Sequence, residues 1–360
     1  MSQARGQRIV VFGVTGHLGQ QLIDRLAESD WPIAELIGVA SAKSAGVEFE
    51  FRGELLDVVS DWPVLKGRDL VFICTPAAGA LEVVREALRA EVPCVDCSGV
   101  LAKQLDVPMP LSMTAAMSAG TSAAMPKRVG LAAVTIEDEI VGNAPLLSVP
   151  SATTLAWAPI LQATGVSRVI GTVLCSASSL GRGGVAALSE ESIALFNQSD
   201  AAGTGPAGQA VAFDVIPGAG IDCERVQREC RRLLGDSLRI GVASVQVPAF
   251  VGEGASLALE LVAPANADAF RARLAAMDGL QVSRDGFGSR GLIAVDETSS
   301  EPKGPTLRDA SGSKDVLVGR IEADESLPVG EGWRLWIAFD PLRLVADHAL
   351  RLAGRRLGLA

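Results

Sequence analysis

Four short apolar runs rich in β-branched residues punctuate the first part of the chain, at Arg8–Val14, Glu35–Ser41, Asp69–Thr75 and Pro93–Ser98. Segments of helical period separate the first pair and the last pair. Leu18, Leu22, Ile23 and Leu26 form one stripe within His17–Ser29, and Leu81, Val84, Ala87 and Leu88 form another within Ala78–Ala90. Apolar strands alternating with amphipathic helices predict a mostly parallel, doubly wound α/β sheet, because strands covered on both faces carry no polar side.

The texture changes between residues 102 and 130 to Pro, Ser, Ala, Thr and Met. There Met109, Met113, Met117 and Met125 stand near helical spacing, which predicts filling of a core or contact surface. A second organised region follows. Its pattern predicts helices at Thr153–Thr164, Gly184–Phe196, Asp222–Leu234, Ala265–Met277 and Leu342–Leu357, with a Gly/Ser/Pro-rich loop at Asn197–Gln209. Strands are predicted at Arg168–Ser176, Ser237–Pro248, Ala255–Val262, Val316–Glu322 and Arg334–Phe339. Long strands with fewer helices between them predict an α+β domain on a mixed or antiparallel sheet.

Between the first strand and the first helix lies Gly13-Val-Thr-Gly16-His-Leu-Gly19. Gly13 permits a tight turn, Gly16 lets backbone N–H groups approach a pyrophosphate, and Gly19 allows helix and strand to pack closely. This is a Rossmann-type dinucleotide loop in its required context. The second strand runs out through Ser41-Ala42-Lys43-Ser44 with no Asp or Glu to hold a ribose hydroxyl, whereas Ser41, Lys43 and Ser44 suit a ribose phosphate. NADP is therefore expected over NAD.

Composition narrows the chemistry. Of 360 residues 48% are hydrophobic, enough for a sizeable core, and 32 Lys+Arg against 42 Asp+Glu leave a net charge of −10 that disfavours nucleic acid or an anionic membrane. No apolar run approaches a membrane span, and the start lacks the features of a signal peptide, so a cytoplasmic protein is expected. With His17 and His348 the only histidines, a three-His metal site cannot be built. Both histidines are expected as helix-surface groups. The six cysteines, including the Cys94-x-x-Cys97 pair, are expected as buried structural thiols, with a redox or half-zinc motif as the alternative for that pair.

Taken together, the segments VVFGVTGHLGQQLIDRL, ELIGVASAKSAG, DLVFICTPAAGALEVVREAL, VPCVDCSG, SVPSATTLAWAPIL, SASSLGRGGVAAL, VAFDVIPGAG, VQVPAFVGEGAS, KDVLVGRI and LWIAFDPLR resemble the aspartate-semialdehyde dehydrogenase family, and most closely its divergent Usg-type subgroup. The resemblance spans nearly the whole chain. It implies a nucleotide-binding Rossmann domain over residues 1–150, an α+β catalytic-type and dimerisation domain over 151–340, and a terminal helix, 341–360, that returns to the first domain. A homodimer is implied. So is a cofactor bound by Gly13, Thr15, Gly16, His17, Leu18, Gly19, Ser41, Lys43, Ser44, Thr75 and Pro76.

The family reaction needs a Cys nucleophile, an acid/base and cations for carboxylate and phosphate. By resemblance, Ala152 stands at the Cys position, Cys175 at that of its assisting Gln, Gln246 at the substrate Arg and Glu253 at the catalytic His. Ala102 replaces the phosphate-binding Arg, with Lys103 adjacent, and Pro341 and Leu344 replace an Asn and a Lys near the nicotinamide, while Asp340, Leu342 and Arg343 persist. A methyl group cannot form a thioester. The expectation is a non-catalytic family member that binds NADP and serves a small-molecule ligand or a protein partner. The alternative is an active NADP-dependent oxidoreductase on a related aldehyde or acyl phosphate, its chemistry relocated to Cys175 and Glu253.

Overall fold

The computed structural model describes residues 6–44, 46–111, 140–199, 205–283 and 304–359. Met113, Met117 and Met125 lie outside the described residues, whereas Met109 is buried. The chain divides into two compact units, Met1–Ser151 with Val345–Ala360, and Ala152–Leu344.

Among the described residues the first unit carries seven strands: β1 (Gln7–Phe12), β2 (Ile33–Val39), β3 (Glu48–Phe51), β4 (Glu54–Val59), β5 (Leu70–Ile73), β6 (Cys94–Asp96) and β7 (Leu146–Ser148). They lie side by side in the order β3-β4-β2-β1-β5-β6-β7. Strand β1 pairs in parallel with β2 on one side and β5 on the other. The chain therefore departs in opposite directions from β1, and a crevice opens beyond the carboxyl ends of β1 and β5, where α/β sheets bind ligands. β5 is apolar and buried through its length and β1 from Ile9 to Phe12, because both faces are covered there.

Helices α1 (His17–Glu28) and α2 (Ala77–Arg89) are the connections that the sequence period predicts. In α1 the stripe of Leu22, Ile23 and Leu26 is buried. In α2 the expected face is rotated: Val84 and Ala87 are buried as expected, but Leu81 and Leu88 are exposed, and Ala80 and Val83 are buried in their place. Small and β-branched side chains allow close approach of the helix to its neighbours, and both stripes satisfy the same helical period. A β3–β4 hairpin, absent from the sequence reading, extends one edge through an Arg52-Gly53 turn in which both residues have positive φ, 51° and 84°.

The second unit carries a mixed sheet of seven strands, β8 (Val166–Cys175), β9 (Ile216–Pro217), β10 (Arg239–Gln246), β11 (Glu253–Leu261), β12 (Leu280–Val282), β13 (Val316–Ala323) and β14 (Gly332–Phe339). Their order is β12-β13-β14-β11-β8-β10-β9, with β8 parallel to β10 and antiparallel to β11. Its helices are α3 (Ala152–Thr164), α4 (Gly181–Phe196), α5 (Cys223–Leu234), α6 (Ala267–Ala275) and the single-turn α7 (Leu307–Ala310). The apolar α3 is buried on nearly every side, and Gly171 of β8 leaves the space that the fully buried Trp157 ring fills.

The last helix, α8 (Pro341–Leu357), places residues from Val345 onward with the first unit. His348 is buried on it rather than displayed at the surface as expected. Its Nε2 sits 2.9 Å from the Pro110 carbonyl, and burial holds its pKa down at about 3, with Arg351 adding to the effect. A neutral imidazole with a carbonyl partner is compatible with a core position; an imidazolium is not.

Candidate functional site

In the first unit the loop after β1 closes on itself. Gly13, at φ 87°, donates its N–H to the Val39 carbonyl at 2.7 Å and accepts from Gly16 N–H at 3.0 Å. A Cβ on Gly13 would stand 2.7 Å from both the carbonyl carbon and oxygen of Cys74, and one on Gly19 would overlap the Gly13 carbonyl group and approach Val14 Cα to 2.8 Å. These two glycines are therefore required by packing. Gly16 is the residue before α1 and offers no side-chain cap, so the first-turn N–H groups of that helix have no capping acceptor from it.

Around this helix start stand the other expected cofactor residues. His17 and Leu18 open α1, both half-buried. Thr15 Oγ1 lies 3.3 Å from Ser44 Oγ, tying the loop to the turn after β2. Ser41 and Lys43 are exposed on that turn, which is closed by the bond from Ser44 N–H to the Ser41 carbonyl. Thr75 follows β5, and its Oγ1 is buried with no hydrogen-bond partner among the described residues; Pro76 precedes α2. The backbone N–H groups at a helix N-terminus, the helix dipole and the unpartnered Thr75 hydroxyl fit the pyrophosphate of a dinucleotide. The residues present thus suit the cofactor they were expected to hold.

Of Ala152, Cys175, Gln246 and Glu253, the positions expected at the reacting centre, the second unit gathers the last three at one rim of its sheet. Cys175 ends β8 and Gln246 ends β10, and the two are register partners. Glu253 opens β11, one residue before Gly254, which pairs with Leu174. All three side chains are buried. Gln246 Oε1 accepts from Ser179 Oγ at 3.3 Å, while its Nε2 and Glu253 Oε2 have no partner among the described residues. Gly220, which the sequence reading did not single out, lies at φ 98° against this pair. A Cβ there would come within 2.7 Å of Cys175 Sγ and 3.1 Å of Gln246 Oε1. The IPGAG segment was the available signal, since a glycine pair after a short strand marks a close approach.

Electrostatics at the rim run against nucleophilic chemistry. Burial raises the Cys175 thiol well above its ordinary value, and the neighbouring Glu253 raises it further. Burial also pushes Glu253 up to about 8, with Asp340 adding to the shift. At neutral pH the rim therefore holds a protonated thiol, a poor nucleophile, beside a mostly protonated carboxyl whose pKa lies close enough to neutrality for proton exchange.

Ala152 is the first residue of α3. The start of that helix is anchored by Thr154, whose Oγ1 donates to Glu229 Oε2 at 2.8 Å, and Arg225 Nε donates to the other carboxylate oxygen at 2.6 Å. Ala102 is buried in the turn after β6 and Lys103 is exposed. Asp340 Oδ1 accepts from the backbone N–H groups of Leu342 and Arg343, fixing the start of α8 at Pro341, and its Oδ2 accepts from Gly312 N–H at 2.7 Å. Leu344 is buried. Among the described residues no cluster of His, Cys, Asp or Glu could hold a metal ion, and no helix is long and apolar enough to cross a membrane.

Two family profiles match the chain in tandem: the semialdehyde dehydrogenase NAD binding domain over residues 8–116 and the semialdehyde dehydrogenase dimerisation domain over residues 157–344. The aspartate-semialdehyde dehydrogenase of Legionella pneumophila is 27% identical over 97% of this chain and 95% of its own length. A USG-1 protein homolog of Pseudomonas aeruginosa is also 27% identical, over 97% of both chains. Among solved structures, aspartate semialdehyde dehydrogenase II of Vibrio cholerae, complexed with ASA, superposes with a TM-score of 0.79 over 98% of each chain at 23% identity, a likeness of fold.

Proposed function

Because the chain belongs to the semialdehyde dehydrogenase family, we propose that it is a dimeric, NADP-binding member of the Usg-type subgroup in which the family's thioester chemistry no longer operates. The observation that carries this reading is the replacement of the reacting groups as a set. Ala152 has no atom able to attack an aldehyde, and the thiol nearest in role, Cys175, is held protonated between burial and Glu253. Removing acid/base catalysis alone forfeits about 10²–10⁴ in rate, and losing the covalent nucleophile costs more.

A bound nicotinamide would supply a hydride acceptor. The chain's own residues would contribute the cradle: the Gly13–Gly19 turn and the α1 N-terminus for pyrophosphate, Thr75 for a further hydrogen bond, and Ser41, Lys43 and Ser44 for a ribose phosphate. Lys43 is exposed, has no acidic neighbour in its own turn, and favours NADP over NAD. Relocated chemistry through Cys175 and Glu253 gains proximity from the β8–β10–β11 rim but loses reactivity to the shifts that the same burial imposes.

Thermal unfolding in the presence of NADP, NADPH, NAD or no nucleotide tests the cofactor reading. Ligand binding to the folded state raises stability by about 2.7 kcal/mol at a hundredfold excess over Kd. A shift with NADP and NADPH that exceeds the shift with NAD is expected; equal shifts, or none, would contradict it. On the same preparation, aspartate semialdehyde with phosphate and NADP is expected to yield no NADPH. Sedimentation should give twice the chain mass.

A further inference from the structure

We propose that Cys74 and Cys97 form a peroxide-responsive dithiol, an oxidation site at the base of the crevice in the first unit. Ile73 and Asp96 are the last register pair of the parallel strands β5 and β6, and the next residue on each chain is a cysteine. The backbone holds the pair in place: Cys97 N–H donates to the Ile73 carbonyl at 3.0 Å and Cys74 N–H to the Phe12 carbonyl at 2.8 Å. Neighbouring strands lie about 4.8 Å apart, inside the roughly 4.4–6.8 Å Cα window that a disulfide requires.

The side chains already meet. The Cys97 thiol is hydrogen-bonded to Cys74, and that bond, with burial, keeps the proton on Cys97. Cys94, the partner suggested by the Cys94-x-x-Cys97 spacing, is three positions away along an extended segment, about 10 Å at 3.3 Å per residue, which is beyond disulfide reach. Access is unequal in a useful way. Cys74 is half-buried and meets solvent, while Cys97 is buried behind it. An exposed attacking thiol beside a sheltered resolving thiol is the arrangement a sulfenic acid needs to be captured before further oxidation.

The reaction balances with a peroxide as oxidant. Cys74 sulfur attacks one peroxide oxygen, the O–O bond breaks, and a sulfenic acid and one water result. Cys97 sulfur then attacks Cys74 sulfur, the S–S bond forms, and the sulfenic hydroxyl leaves with the thiol proton as a second water. Two thiols lose two electrons and the peroxide gains them. The new bond would tie β5 to β6 directly behind Gly13, whose Cα faces the Cys74 carbonyl. This inference stands whether or not NADP is the nucleotide.

The test treats the full-length native chain with a few equivalents of hydrogen peroxide, blocks remaining thiols with N-ethylmaleimide and maps linkages by mass spectrometry. A dithiothreitol-sensitive Cys74–Cys97 linkage is expected, retained in Cys94→Ala and lost in Cys74→Ser. Cys97→Ala should accumulate a dimedone-reactive Cys74; if that variant does not fold, the native linkage map decides alone. A Cys94–Cys97 linkage, a Cys74 sulfinic acid with Cys97 still open to maleimide, or no oxidation at all would overturn the proposal.

Discussion

The two units treat their special positions in opposite ways. In the first, Gly13 and Gly19 sit where any side chain would overlap backbone, and the nearby Thr75 hydroxyl is buried without a partner among the described residues. In the second, Cys175, Gln246 and Glu253 are buried together at one rim of the sheet, and Ala152 opens α3. A cradle depends on backbone conformation and tolerates few substitutions, whereas a catalytic set depends on side-chain atoms and disappears without disturbing the fold. On the reading proposed above, that difference would let one chain match both family domains without the family's nucleophile.

The two units should differ most in their response to pH. Glu253 has a folded pKa near 8 against an ordinary 4.5, so the stability it permits is fully present below about 4.5 and lost as pH rises through about 8. Glu253→Gln removes that loss. Urea unfolding should show the variant gaining on the native chain by about 1.4 kcal/mol per pH unit across that interval. In the first unit His348 works from the other end: its folded pKa near 3 leaves stability intact above about 6.5 and drains it as pH falls. A Glu253→Gln chain whose stability gap does not widen between pH 5 and pH 8 would mean that the rim is solvated and open to ionic chemistry.

Gly19→Ala comes next in size. Its Cβ would meet the Gly13 carbonyl and Val14 Cα, an overpacking that costs about 1–3 kcal/mol. Denaturant titration should show that loss together with a vanished nucleotide shift. Lys43→Ala is expected to leave stability unchanged and weaken NADP by about tenfold, the value of about 1.4 kcal/mol for one charge-assisted contact, with NAD unaffected. Calorimetry with both nucleotides reads the difference. The smallest effect is at Cys175, which iodoacetamide at neutral pH should leave unmodified while the half-exposed Cys223 reacts.

The first unit was legible in the sequence because its signals are local. The turn, the amphipathic period of α1 and the apolar strands each lie within a few residues, and the nucleotide loop follows from them. The β3–β4 hairpin was missed because an edge pair interrupted by Glu48, Glu50, Glu54 and Asp57 lacks an apolar run, although Arg52-Gly53 marks its turn. Choosing Leu81 and Leu88 over Val83 and Ala80 as the buried stripe of α2 illustrates a different limit, since periodicity gives the angle between residues and not which face meets the sheet. In the second unit, resemblance identified Cys175, Gln246 and Glu253 individually, but only the parallel pairing of β8 with β10 and the antiparallel return of β11 make them one cluster. Gly220 and the Thr154–Glu229–Arg225 anchor escaped because their partners are remote in the chain.

On the proposed reading the second unit has lost a set of reacting groups and not a single atom. The most direct measurement is phosphate-dependent reduction of NADP by aspartate semialdehyde, followed at the nicotinamide absorbance for the native chain and for Ala152→Cys. Neither is predicted to turn over, because the neutral Gln246 cannot supply a cation for the substrate carboxylate and Glu253 is no substitute for an imidazole beside a restored thiol, since its negative charge disfavours the thiolate. Turnover by the native chain, or its recovery in Ala152→Cys, would contradict the account.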